Sequence, residues 1–89
     1  MKKVRELLID ESKWHKGNFA IDSEGLEVSP NDKNACKWCL MGAIKKCYQG
    51  AEYVLVLNKV HRKINNIFHW NDSFAKFEDV KRLVDELDI

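Results

Sequence analysis

Eighty-nine residues, 45% of them hydrophobic, make one domain with room for a single small core. Fifteen Lys and Arg against fourteen Asp and Glu leave a net charge of +1, without the basic excess of a general nucleic-acid binder. No apolar run approaches the ~18 residues a membrane span needs, and Met1-Lys2-Lys3-Val4-Arg5-Glu6 turns acidic too soon for a signal peptide.

Along the chain, Val4, Leu7 and Leu8 recur at helical spacing and Glu11 opens a polar exit. That spacing predicts a short amphipathic helix from Lys2 to about Ser12. Trp14 follows, and His15-Lys16-Gly17-Asn18 reads as a turn. The period then changes. Phe19-Ala20-Ile21-Asp22 and Leu26-Glu27-Val28 flank Ser23-Glu24-Gly25, the pattern of a small β-hairpin. A lone hairpin is marginal, so it must lean on the helices.

Ser29-Pro30-Asn31-Asp32 carries the chemistry of a helix start. Ser29 can cap, Pro30 suits the first helical position and Asp32 favours the positive helix end. A second helix is expected from there, with Ala35, Cys36, Cys39, Leu40, Ala43 and Cys47 as its apolar stripe and Gly50 as its end. Tyr53, Val56, Leu57, Val60 and Ile64 predict a third helix, stopped near Asn65-Asn66. Ile67-Phe68-His69-Trp70-Asn71-Asp72-Ser73 reads as a connector, and Phe77, Val80, Leu83, Val84 and Leu87 mark a last helix. The expected architecture is mainly α, about four short helices packed with a small β-hairpin between the first and second, in one domain over residues 1–89.

Cys36 and Cys39 form a Cys-x-x-Cys, but a zinc site needs two further ligands. Cys47 is the one other thiol, and His15, His61 and His69 are scattered, the last two eight positions apart. A redox reading lacks a βαβ setting. Buried free cysteine is the ordinary role for such residues, so no metal and no cofactor are expected. An odd count of three cysteines also argues against a disulfide framework and for a reducing, cytoplasmic setting. A cysteine enzyme remains the alternative. Cys39 would be the nucleophile, His69 or His15 its base, and Asp72 or Asp22 the group that orients the imidazole. Its expected place, about two turns into a helix, weakens that reading, because reactive thiolates favour helix N-termini.

Gly42-Ala43 allows another element to approach closely, at a helix-propensity cost of up to about 1 kcal/mol for the glycine. Trp14, Trp38 and Trp70 suggest a shared aromatic cluster. At a surface it would stack a nucleobase, with Lys16, Lys37 and Arg62 as phosphate partners. Asn71 and Asp72 offer a ligand two hydrogen-bonding chemistries, although the same residue types cap helices and close Asx-turns.

The landmarks Trp14, Gly17, Ala20-Ile21-Asp22-Ser23-Glu24-Gly25-Leu26-Glu27-Val28, Trp38-Cys39-Leu40-Met41-Gly42-Ala43 and Trp70-Asn71-Asp72 stand in a telling order. That order resembles a family of small uncharacterised domains found in phages and bacteria, and it covers most of the chain. The family commonly opens its last helix with a hydroxyl residue where this chain has Phe77, which leaves Ser73 as the expected cap. The resemblance implies a fold and a phage or bacterial origin, and no established activity.

The residues point to a non-enzymatic binding protein of the cytoplasm, and the resemblance implies that it is encoded by a phage or mobile element and acts on a bacterial host cell. It would hold a nucleotide-like small ligand or contact a host protein through Trp70, Asn71, Asp72, Trp38, Trp14 and Asp22. The alternatives are the Cys39–His69 enzyme and an oligomerisation or interaction module, and a homo-oligomer fits any of the three.

Overall fold

Five helices, one 3-10 turn and a two-stranded antiparallel sheet form the computed structural model, which describes residues 3–73 and 75–89. The elements are α1 (Val4–Leu7), the 3-10 turn (Glu11–Lys13), β1 (Ala20–Ile21), β2 (Lys37–Trp38), α2 (Leu40–Cys47), α3 (Gly50–His61), α4 (Ile67–Ser73) and α5 (Phe77–Leu87). The mainly helical architecture with its small sheet between the first two helices is thus the one the periodicity predicts. No described helix is long and apolar enough to cross a membrane.

α1 is shorter than its apolar spacing suggests, and the expected start at Lys2 lies outside the described residues. It buries Val4 and Leu7, and the Glu6 carboxylate accepts from Lys3 N at 3.0 Å. Asp10 then accepts from Ser12 N and starts a separate 3-10 turn.

The sheet differs from a simple hairpin. Ala20 and Ile21 do bond back to the next segment, with Asp22 N donating to Leu26 O at 2.9 Å and Val28 N to Ala20 O at 3.1 Å. Yet Ile21 meets Glu27 only as an isolated bridge, and the regular strand partner of β1 is Lys37–Trp38. A parallel bridge from Trp14 to Trp38 adds the segment after the 3-10 turn to the far side of β2.

That pairing explains the largest departure from the expected helices. Residues Ser29 to Asn34 form turns, not a helix. Ser29 Oγ accepts from Asn31 N at 3.3 Å and Asp32 Oδ1 from Asn34 N at 2.7 Å. The capping chemistry is present but spent on turns, and the chain then stays extended to bond β1. α2 begins only at Leu40, with Cys39 as its N-cap. Gly50 likewise opens α3 instead of closing α2; its φ of 61° lets the chain reverse between the two helices. Ser73 lies in α4, and the N-cap of α5 is Lys76, whose N–H donates to Asp79 at 2.9 Å.

α2 is the hub, packed against α1, α3 and α4, while α1 also meets α5. Leu8, Leu40, Ile44, Val60, Val80 and Val84 are fully buried at the centre. Each such aliphatic side chain contributes roughly 1.5–3 kcal/mol relative to exposure. The two ends of the described chain meet over this core. Ile89 O accepts from Val4 N at 2.6 Å and from the Tyr48 hydroxyl at 2.8 Å, and Asp88 pairs with Lys3 and Arg5, each at 2.9 Å.

Candidate functional site

Trp70-Asn71-Asp72 is not a connector. It lies inside α4, where Asn71 points into the core and is 0% exposed. Its amide is fully used. Oδ1 accepts from Trp14 Nε1 at 2.7 Å and from Leu40 N at 3.0 Å. Nδ2 donates to His15 O at 3.1 Å and to Asp72 Oδ1 at 3.0 Å. Asp72 Oδ1 also accepts from Gly17 N at 3.0 Å. A short polar helix residue therefore bonds three separate segments: α4, the Trp14–Gly17 turn and the start of α2.

Of the residues singled out in the sequence, the fold brings Trp14, Trp38, Asn71 and Asp72 together. Trp14 also tilts against Phe77, ring centroids 6.1 Å apart, and the Trp38 indole donates to Pro30 O at 3.0 Å. Trp70 is half-buried against the same core. Asp22 stands apart and ties its own turn, accepting from Glu24 N and Leu26 N at 2.9 and 3.0 Å. Lys16 lies over the Trp14 ring, 5.4 Å from its centroid. Lys37 sits on β2 and Arg62 at the C-cap of α3, so the three expected phosphate partners belong to three separate elements.

Cys39 occupies a helix N-terminus after all, since α2 starts ten residues later than Pro30 suggests. Position alone would favour a reactive thiolate. Burial decides otherwise. The side chain is 0% exposed, and desolvation pushes the thiol from 9.0 up to about 11 against the opposing hydrogen bond from Gly42 N. Its sulfur caps the helix, accepting from Gly42 N at 3.2 Å. His69 is exposed, with Nδ1 3.4 Å from Ser73 Oγ, and His15 Nε2 lies 3.3 Å from Asn18 Oδ1. A protonated, shielded thiol is a poor nucleophile, and the geometry assigns Cys39 to capping and packing. Among the described residues, no three His, Cys, Asp or Glu side chains gather as a metal site.

Gly42 packs against the backbone of Phe19. A Cβ at this position would stand 1.8 Å from Phe19 O, so only glycine lets the chain entering β1 lie across α2.

Beside that crossing, with Lys45 lying against the Phe19 ring, α2 borders a cleft. The 29–31 turn, α2 and the first turn of α3 border a shallow, open cleft of about 370 Å³ lined by Ser29, Pro30, Asn31, Lys45, Tyr48 and Tyr53, with Gln49 and Gly50 at the helix junction. Lys45 is the sole charged residue of that lining. Its ammonium donates to the Tyr53 hydroxyl at 3.2 Å and lies 5.4 Å and 5.3 Å from the ring centroids of Phe19 and Tyr53. No carboxylate pairs with it among the described residues. The Tyr53 hydroxyl, having accepted from Lys45, keeps its own proton to donate. Gln49, the N-cap of α3, spends its amide on Lys45 O and Lys46 O instead of on its helix.

The sequence did not point to Lys45 or Tyr53. Lys45 reads as one of several surface cations and Tyr53 as one turn of a core stripe. Their one shared signal is the Gln49-Gly50 break, which folds α2 and α3 back against the Ser29-Pro30-Asn31 turn.

The chain matches no curated protein and no solved structure. Over residues 1–87 it matches the model of a family of unknown function, DUF6197, and it belongs to that family.

Proposed function

We propose that this protein is a non-enzymatic binding protein that holds a small, nucleotide-like anion in the cleft between the 29–31 turn and the α2–α3 junction. The observation that carries the proposal is the Lys45 ammonium, bonded to the Tyr53 hydroxyl and free of any carboxylate inside that cleft. A volume near 370 Å³ sits at the small end of ligand pockets, which suits a mononucleotide-sized molecule. The Trp14–Asn71–Asp72 network serves as the frame, because Asn71 fixes the start of the helix that carries Lys45. The cysteine enzyme is the weaker reading, given a buried thiol raised to about 11.

The wider setting of this proposal is a phage or mobile element acting inside a bacterial host cell, in its cytoplasm. Its support is the motif order through Trp38-Cys39-Leu40-Met41-Gly42-Ala43 and Trp70-Asn71-Asp72.

Calorimetric titration with adenosine monophosphate tests the binding claim, with adenosine and inorganic phosphate as separate arms. Saturable binding of the monophosphate, weaker for either half alone and lost in Lys45→Met, is the expected result. No binding of the monophosphate, or equal binding by Lys45→Met, overturns it.

A further inference from the structure

Helix α3 is apolar on two sides, and only one of them is used. Tyr53, Val56, Leu57 and Val60 face the core. The opposite side carries Ala51, Val54, Leu55 and Asn58 at helical spacing, with Val54 53% and Leu55 62% exposed. Val54 and Leu55 are the two exposed large aliphatic side chains that α3 carries away from the core, whereas Ile9 and Leu26 stand exposed singly elsewhere.

The charges beside the stripe say what covers it. Glu52 and Lys59 are seven positions apart, so they lie on the same flank of α3, about 10 Å apart along its axis. That is too far to pair within one copy, and neither belongs to a salt bridge among the described residues; Lys59 does share its groove with Asp88, which is already paired with Lys3 and Arg5. Leu55 lies between them, at the edge of a groove of about 220 Å³ floored by Tyr48, Val56 and Ile89. In an antiparallel pair of identical helices a two-fold axis keeps each flank facing its own equivalent. Glu52 of one copy then meets Lys59 of the second, and the symmetry makes the same pair twice. The register set by these charges centres the axis between Leu55 and Val56. Each Leu55 then packs beside the other and over the opposing groove.

We propose that α3 is the self-association surface of this protein, pairing antiparallel with α3 of a second copy through Leu55, Val54 and two Glu52–Lys59 ion pairs. A single helix face is small beside the ~1,200–2,000 Å² of a stable interface, so the dimer forms and dissociates with concentration. The surface adjoins the Lys45 cleft at Tyr48, but Lys45 and Tyr53 are not part of it.

Sedimentation equilibrium of the full chain from micromolar to millimolar concentration tests the proposal. The parent protein is expected to pass from monomer to dimer over that range, and Leu55→Glu to stay monomeric. Glu52→Lys should weaken the dimer about tenfold, because two attractions become two repulsions. The double exchange Glu52→Lys with Lys59→Glu should restore it. All three positions are exposed, and a helical circular-dichroism spectrum with an unchanged melting temperature verifies that each variant folds. A parent protein that stays monomeric to millimolar concentration overturns the proposal. So does a double exchange no tighter than Glu52→Lys.

Discussion

The indole Nε1 of Trp14 donates to Oδ1 of Asn71 at 2.7 Å, across 57 positions of sequence. One amide thereby satisfies a tryptophan, the first N–H of α2 and the carbonyl of His15 in the same buried spot. A buried network that is completely paired fixes one arrangement of its segments, and a network missing one member is costly.

Asn71→Ala should therefore be among the most damaging substitutions in the chain. It leaves Trp14 Nε1, Leu40 N and His15 O without their partner, at about 1–3 kcal/mol for each buried group unpaired. Urea unfolding followed by tryptophan fluorescence should show the midpoint falling sharply or the fold lost. A midpoint equal to that of the parent would contradict the structural role given to Asn71.

Gly42→Ala is the sharper test of close packing, because helix propensity alone favours alanine by about 1 kcal/mol. The new Cβ would stand 1.8 Å from Phe19 O and 2.7 Å from Phe19 C, both backbone atoms. Relief requires moving the strand entry and loosening Cys39 N from Phe19 O, now 3.3 Å apart. A net loss of about 1–3 kcal/mol or more is expected in thermal unfolding. A variant more stable than the parent would mean the crossing of Phe19 over α2 is wrong.

Cys39 makes a pH-dependent prediction. Its folded-state pKa, about 11, lies above the ordinary 9.0 because burial disfavours the thiolate. Below pH 9 both folded and unfolded chains keep the proton, and its contribution to stability is complete. Between the two values the unfolded chain ionises first, so stability falls as pH rises through the folded value. Cys39→Ser should flatten that part of the stability profile while keeping a capping oxygen at the α2 N-terminus. In native labelling, half-buried Cys36 should react before Cys39, which waits for unfolding. Rapid labelling of Cys39 at neutral pH in the folded protein would favour the enzyme reading.

The helices whose apolar residues recur without interruption were legible from sequence. α3 and α5 follow the stripes Tyr53–Val60 and Phe77–Leu87, and tertiary packing only reinforces that local preference. Where distant partners compete, local signals mislead. Ser29 and Asp32 use their caps on turns because Lys37-Trp38 finds a strand partner in Ala20-Ile21. Trp70-Asn71-Asp72 reads as a loop because Asn and Asp are weak helix formers, and four long-range or neighbouring bonds to Asn71 override that preference. The cleft was not legible at all. Lys45, Tyr53 and the 29–31 turn share no motif and meet only once α2 and α3 fold back.

The central claim is that the Lys45 cleft binds a nucleotide-like anion, and mapping by NMR tests it most directly. Backbone amide spectra of the full chain are recorded during titration with adenosine monophosphate, for the parent and for Lys45→Met. Saturable shifts confined to residues 29–31, 45–50 and 53 in the parent, and absent from Lys45→Met, are the predicted result. Unchanged spectra, or shifts centred instead on Trp14, Gly17 and Asp72, would contradict it.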